Sequence, residues 1–299
     1  MPAPSQIHHV PVLPAEVLHW LDPRPGQVIV DCTAGVGGHT RLLAERVLPG
    51  GRVIALDQDE AMLKLARPRL VGLPVTLVHA SFEQLGDVLH EQGLTAVDGV
   101  LADLGVCSDQ LADPDRGLSF QQPGLLDMRL DATRGETAAD LLRRLPEREL
   151  ADLIYRYGEE RFSRRIARRV VEARQREPLA TTEQLAELVR RCVPRPKGKG
   201  GGIDPATRTF QALRIAVNDE LGALERLLAQ LPEWVRPGGR AVLISFHSLE
   251  DRLVKQAFRR ADDWRVLTKK PVTAGDDEVR TNPRARSAKL RAAERAPAG

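Results

Sequence analysis

The stretch Asp31-Cys32-Thr33-Ala34-Gly35-Val36-Gly37-Gly38-His39-Thr40 follows one apolar run and opens an amphipathic segment. A glycine-rich turn between strand and helix lets the backbone approach a ligand closely and aims helix N-terminal amides at it. Asp57 ends the next apolar run, twenty residues after Gly37, where a carboxylate can accept hydrogen bonds from both hydroxyls of a ribose. Phe82, just beyond the third run, is placed either to cover an adenine face or to fill core. Asp103 closes a fourth run and points to the same crevice at the carboxyl edge of a sheet. His247 follows a fifth, in Ser245-Phe246-His247-Ser248; it either takes a proton or orients a substrate there, or it closes a loop. A lone Gly-x-Gly says little, because tight turns need glycine anyway. Strand, glycine turn, helix, strand and terminal acid in this order say much more.

The elements that must position these residues follow from the apolar runs. Gln27–Cys32, Arg52–Asp57, Val75–His79 and Val97–Leu104 are short and β-rich, and helical segments such as Thr40–Val47 and Glu60–Leu70 lie between them. That alternation predicts buried parallel strands joined by right-handed crossovers, hence an α/β doubly wound sheet. The next strand, Arg240–Phe246, comes more than a hundred residues later, introduced by Pro237-Gly238-Gly239. A single crossover does not need so much chain. The interval reads as helices over Thr137–Leu145, Glu147–Tyr157, Glu159–Gln175 and Thr182–Cys192, so the expected organisation is a sheet domain over 1–110, an inserted helical domain over 111–212 and the rest of the sheet domain over 213–299. Two late pieces, Arg265–Thr268 and Ser287–Ala292, are candidates to join the sheet.

Composition narrows the classes. With 299 residues, 42% hydrophobic and 28% charged, the chain has length for a packed core and is neither disordered nor fibrous. No apolar run approaches a membrane span and no leader-like segment opens the chain, so a cytoplasmic protein without membrane contact is expected. Cys32, Cys107 and Cys192 are isolated, which argues against a disulfide framework or a zinc site; no metal is expected. The net charge of +3 hides an asymmetry: residues 1–142 carry 10 Lys and Arg against 19 Asp and Glu, leaving 34 against 22 in residues 143–299. Such a basic half either faces a polyanion or is a solvated helical surface. In Arg161–Val171, Phe162, Ile166 and Val170 form an apolar stripe, while Arg164, Arg165, Arg168 and Arg169 lie off it.

The cofactor class can be separated. A dinucleotide fingerprint counted from Gly35 would need a third glycine at position 40, where Thr40 stands. Asp31 suits an ammonium group better than a pyrophosphate. The pattern D-x-x-x-G-x-G-G resembles the S-adenosylmethionine loop of class I methyltransferases. Longer blocks make the resemblance specific: Asp103-Leu-Gly-Val-Cys-Ser-Asp-Gln110, Arg116-Gly-Leu-Ser-Phe120, Leu126-Asp-Met-Arg-Leu-Asp131, the run from Asp204 to Leu221, Ser245 to Arg252, and Asn282 to Arg291. Together they resemble the RsmH (MraW) family, methyltransferases of cytosine N4 in small-subunit ribosomal RNA, over essentially the whole chain.

The resemblance implies a class I, Rossmann-like methyltransferase fold interrupted by a helical domain that recognises substrate. It implies S-adenosylmethionine held by Gly35, Gly37, Gly38, His39, Asp57, Phe82, Asp103 and Gln110, and N4-methylcytidine in the decoding centre of 16S rRNA, near the P-site codon, as product. The 30S subunit is then the partner, and a homodimer is compatible. One departure is Cys107, where the family pattern has Ser. Attack by an exocyclic amine needs the nitrogen held in line and its developing charge tolerated, which gives Asp103 and His247 candidate catalytic roles. Phe120 or Phe246 could stack on an extruded base, or be core. For RNA contact the candidates are Lys197 and Lys199 in a glycine-rich loop, Arg208 and Arg214 with Gln211 on one helix face, and Arg284 and Arg286; Lys289 and Arg291 would share a strand face. The rival chemistries are a C5-cytosine enzyme using Cys107 as nucleophile, an RNA-binding factor without turnover, and a nicotinamide enzyme.

Overall fold

Seven strands form where the apolar runs lie: β1 (Val28–Asp31), β2 (Arg52–Asp57), β3 (Val75–His79), β4 (Val97–Asp103), β5 (Val235–Ser245), β6 (Trp264–Val266) and β7 (Lys289–Arg295). The computed structural model describes residues 10–194, 203–260 and 262–297. The strands make one sheet in the order β3-β2-β1-β4-β5-β7-β6. Neighbours from β3 to β5 are parallel, and β7 runs antiparallel to both β5 and β6. Ile29, Val53, Leu101 and Val242 enter one core, while Val30, Ile54, Val100 and Leu243 enter another. Burial on both faces is why these strands read as continuous apolar runs. Helices Leu85–Glu91, Glu220–Trp234 and Ser248–Phe258 contribute to the core that holds Val30, and Pro14–Leu21 and Gly38–Val47 to the core that holds Ile29. This is the doubly wound, Rossmann-like sheet of the class I methyltransferase fold. The strand order reverses between β1 and β4, the switch point outside whose carboxyl ends such sheets bind ligands.

The chain divides into two compact units, residues 1–105 with 221–299, which carry the sheet, and residues 106–220. The second unit packs helices Ala138–Arg144, Glu147–Gly158, Ser163–Arg174, Thr182–Cys192 and Thr207–Asn218 around one core that includes Leu142, Leu150, Ile154, Ile166, Leu185, Val189 and Leu213. Thr137 with Asp140, and Thr181 with Gln184, form reciprocal caps that satisfy otherwise orphaned N-terminal amides. Gly158 lets helix Glu147–Gly158 touch helix Thr207–Asn218, since a Cβ there would lie 2.4 Å from the Arg208 carbonyl oxygen. Helix Thr207–Asn218 runs unbroken through position 212, so the sheet-bearing unit resumes at Leu221.

Element ends differ from expectation for local reasons. The helix expected from Glu159 begins at Ser163, because Glu159 takes a left-handed φ of 51°. The segment expected as helix to Leu70 stops at Ala66 and continues as a 3-10 turn through Pro68. Val235 already pairs with Val97, so β5 starts five residues before Arg240; Pro237-Gly238-Gly239 bulges within it, and regular pairing resumes at Gly99 with Arg240.

Candidate functional site at the carboxyl edge of the sheet

The glycine turn leaves β1 with Gly35 at φ 52° and Gly37 at φ 88°, a region that favours glycine. A Cβ at Gly35 would meet nothing within 4 Å, whereas one at Gly37 would press on Leu70 at 3.2 Å. Asp57 at the end of β2 fastens the turn: Oδ2 accepts the Gly35 N–H at 2.7 Å and Oδ1 accepts the Asp59 N–H at 2.8 Å. Burial pushes Asp57 up to about 6 against those two bonds, with Asp59 and Asp31 adding repulsion. In this geometry Asp57 shapes the glycine turn, a role its spacing alone did not disclose.

Asp31 is fully buried. Its Oδ2 accepts the Thr40 hydroxyl at 2.7 Å and its Oδ1 the Thr33 N–H at 3.1 Å. Burial raises its pKa, and the bonds from Thr40 and Thr33 oppose the rise. Thr40, at the position where a dinucleotide loop has its third glycine, therefore anchors this acid. Thr33 also accepts the Asp103 N–H at 2.7 Å, tying the end of β1 to the end of β4.

Asp103 ends β4. Its side chain is 12% exposed, with Oδ2 3.7 Å from His39 Nε2. Its Oδ1 is buried with no hydrogen-bond partner among the described residues. An unmatched buried oxygen costs free energy unless a ligand donates to it. Burial pushes Asp103 up to about 7; Arg284 opposes this and Asp31 and Glu250 reinforce it. The Arg284 guanidinium carbon lies 5.8 Å from the centre of the Phe246 ring, so Arg284, Phe246 and Asp103 gather at one edge. Arg286 is exposed on the same 3-10 segment, Pro283–Ser287.

His247 caps helix Ser248–Phe258. Its Nδ1 accepts the Glu250 N–H at 3.4 Å, while Glu250 Oε2 accepts the N–H groups of Phe246 at 2.8 Å and His247 at 3.2 Å. The His-x-x-Glu spacing was the available signal for this box. Phe82 opens a 3-10 turn and packs, partly buried, against the core containing Leu85. Lys289 and Arg291 share a face as expected, and both meet Asp251, Arg291 through a 2.6 Å bond.

The remaining candidates lie in the second unit. Gln110 is buried; its side-chain oxygen accepts the Cys107 N–H at 2.9 Å, and its own N–H points at Cys107 Sγ at 3.4 Å. Cys107 is thus the N-cap of helix Ser108–Ala112, a place where Ser is the commoner choice. Arg208 and Gln211 donate to the carbonyls of Glu159 and Tyr157 at 3.2 and 3.0 Å, satisfying the C-terminus of helix Glu147–Gly158. Arg214 forms a two-pronged pair with Glu220 at 2.7 and 2.9 Å. Phe120 packs edge-on against Phe210 at 4.8 Å. Lys197 and Lys199 lie outside the described residues.

The profile of the MraW methylase family matches residues 6–296. A ribosomal RNA small subunit methyltransferase H from Sorangium cellulosum is 56% identical over 296 residues, covering 98% of this chain and 93% of that one. Proteins of the same name from Deinococcus deserti and Geobacter sulfurreducens are 51% and 50% identical, covering 96% of this chain and 93% and 98% of their own. Among solved structures, an rRNA methylase from Streptococcus thermophilus aligns at a TM-score of 0.43 and 11% identity, covering 95% of this chain and 93% of that one.

Proposed function

This chain belongs to the MraW methylase family, and from that premise we propose that it methylates the N4 amine of a cytidine in the decoding centre of 16S rRNA, presented by the small ribosomal subunit. It is an S-adenosylmethionine-dependent rRNA methyltransferase. The observation that supports the reading best is the edge between β1 and β4: a buried, unmatched Asp103 oxygen beside a glycine turn whose Gly35 opens on free space.

These residues fit the methyl donor. Gly35, Gly37, Gly38 and His39 would hold it through the turn, with Asp57, Phe82 and Asp103 at the strand ends and Gln110 as the contact the family adds. When bound, S-adenosylmethionine supplies an electrophilic methyl group on a positively charged sulfur. The cytosine N4 lone pair is delocalised into its ring, so the amine must be held and its developing charge met. Asp103 can accept an N–H of that amine, and its carboxylate can receive the proton the amine releases. His247 has its Nδ1 as an acceptor in the helix cap and its Nε2 3.2 Å from Glu250 Oε1, so its part at this edge is to hold the Phe246–His247 turn in place rather than to act as a base. Arg284 and Arg286 contact RNA phosphates near this edge, with Arg208, Lys197 and Lys199 as contacts from the helical region; Arg214, expected among them, is instead held by Glu220. Cys107, engaged as a helix cap, is not needed as a nucleophile.

The test is to incubate the protein with labelled S-adenosylmethionine and undermethylated 30S subunits, digest the RNA and identify the modified nucleoside by mass spectrometry. N4-methylcytidine that disappears in Asp103→Ala is the expected result. A 5-methylcytidine product would overturn the N4 assignment.

A further inference from the structure

The helical unit carries a cleft of about 520 Å³ between helices Ser163–Arg174 and Thr182–Cys192 that is lined by none of the donor- or RNA-contact residues named above. Its walls follow from helical spacing. Arg165, Arg169 and Arg176 recur along one face of the first helix and its C-terminal extension, and Arg191 comes from the second. Leu179 and Leu188 provide an apolar floor. Three glutamates also line it, and two of them are engaged: Arg169 meets Glu172 at 2.7 Å and Arg191 meets Glu187 at 2.9 Å.

Arg165 and Arg176 make no ion pair among the described residues. Arg165 and Arg169 stand one turn apart, an arrangement of like charges that disfavours the helix unless an anion lies between them. Both existing pairs are exposed, with the arginines 60% and 80% accessible. Exposed pairs of this kind hold weakly and can exchange a carboxylate for a phosphate. The cleft lies within the size range of small-ligand pockets and joins guanidinium groups to an apolar floor.

We propose that this cleft is a phosphate-binding subsite for the RNA backbone, with Arg165 and Arg176 as its uncommitted cations and Arg169 and Arg191 as partners recruited from their surface glutamates. The proposal rests on the reading of the protein as an RNA methyltransferase and adds to it a contact on the helical unit. Arginine presents a planar fork that matches two phosphate oxygens at once.

The experiment uses the full chain and a fluorescently labelled, unmethylated 16S rRNA transcript, with affinity measured across a salt series. Arg165→Gln/Arg176→Gln is compared with wild type and with Arg148→Gln/Arg156→Gln, which removes the same charge from exposed arginines outside the cleft. Loss of two phosphate contacts should weaken binding about 10-fold near physiological salt and lower the slope of log affinity against log salt by about 1.4. The control pair should leave both unchanged. Equal effects in both double variants, no effect in the cleft variant, or no binding of the transcript by wild type would each overturn the subsite. Calorimetry with S-adenosylmethionine confirms that each variant is folded. The methyltransferase reading is scored separately on wild type: no methylated product from 30S subunits, together with a cleft-dependent salt slope, sinks the chemistry and leaves the subsite standing.

Discussion

In the sheet-bearing unit, Asp31, Asp57 and Asp103 stand at strand ends; the first two are met by backbone amides and a threonine hydroxyl, and Asp103 keeps one oxygen unmatched with His39 3.7 Å from the other. In the helical unit, Asp127 receives the Arg129 guanidinium at 2.8 and 2.7 Å, and Asp140 receives the Thr137 hydroxyl at 2.7 Å in a helix cap. The acids of the first group are pushed above the usual carboxylate range by burial. Those of the second are held below it: Asp127 because bonds from Arg129 outweigh burial, Asp140 by the Thr137 hydroxyl and then its N–H. One unit therefore keeps negative charge short of partners where a cationic donor would sit. The other matches its carboxylates and leaves arginines over. Free energy lost by the first in the ligand-free state is recovered when a cation binds, which is how a site comes to be less stable than its scaffold.

The sharpest way to break that contrast is Asp103→Ala. If Asp103 is an unmatched acid awaiting its ligand, its removal weakens S-adenosylmethionine about 100-fold, as expected for a lost charge-assisted contact. Methyl transfer to 30S subunits falls with it, and the melting temperature of the ligand-free protein does not. Calorimetry and thermal melting measure the two halves. An unchanged dissociation constant would move the site away from the β4 edge.

Two glycines extend the comparison. Gly158→Ala drives a Cβ against the Arg208 carbonyl oxygen and should destabilise the helical unit by about 1–3 kcal/mol, read as a lower denaturant midpoint. Gly37→Ala strains a residue at φ 88° and presses on Leu70, at a cost of about 1–2 kcal/mol. Its effect should appear chiefly as weaker donor binding. If both substitutions move stability alone, the glycine turn is a structural feature and nothing more.

The pH dependence should carry opposite signs in the two units. Asp103 is raised to about 7, so it contributes most to stability below about pH 4, where it is protonated in both states, and that contribution is lost as pH rises toward 7. Asp127 is lowered, so its contribution is present above about pH 4 and is lost as pH falls through its folded value. Asp103→Asn, which mimics the protonated acid, should raise the stability of the ligand-free protein at pH 8 by on the order of 1 kcal/mol and flatten the fall between about pH 4 and 7. Asp127→Asn should destabilise at neutral pH and lose its effect in acid. Parallel melting curves for the two variants would refute the distinction.

Legibility in the sequence follows the same division. Strands buried on both faces announce themselves as apolar runs, and the glycine turn with its acids stood out because residue type and order both matter there. Helix Thr182–Cys192 could be bounded at both ends, since Thr181 and Gln184 spell its cap. Helix Pro14–Leu21 could not, because it is short and begins after Leu13 in a left-handed conformation. Helix Glu220–Trp234 follows Asp219 with almost no interval and contains Pro232, which reads as a break. The bond of Thr40 to Asp31 and the commitment of Gln211 to Tyr157 depend on where distant turns bring side chains. The arginine cleft was half visible: Arg165 and Arg169 read as off the apolar stripe, but Arg176 and Arg191 join them only through the packing of two helices.

The smallest expected effect tests the residue that departs from the family pattern. Cys107 Sγ accepts the Gln110 N–H at 3.4 Å, a weak acceptor in a position that a serine hydroxyl fills more effectively. Cys107→Ser should therefore leave methyl transfer unchanged and alter stability by less than about 0.5 kcal/mol, with any change in the stabilising direction. Turnover on 30S subunits and thermal melting of the variant measure both. Abolished turnover with an intact melting transition would mean that the thiol attacks the substrate. That outcome would exchange amine chemistry for a C5 mechanism and place the nucleophile at the N-cap of helix Ser108–Ala112.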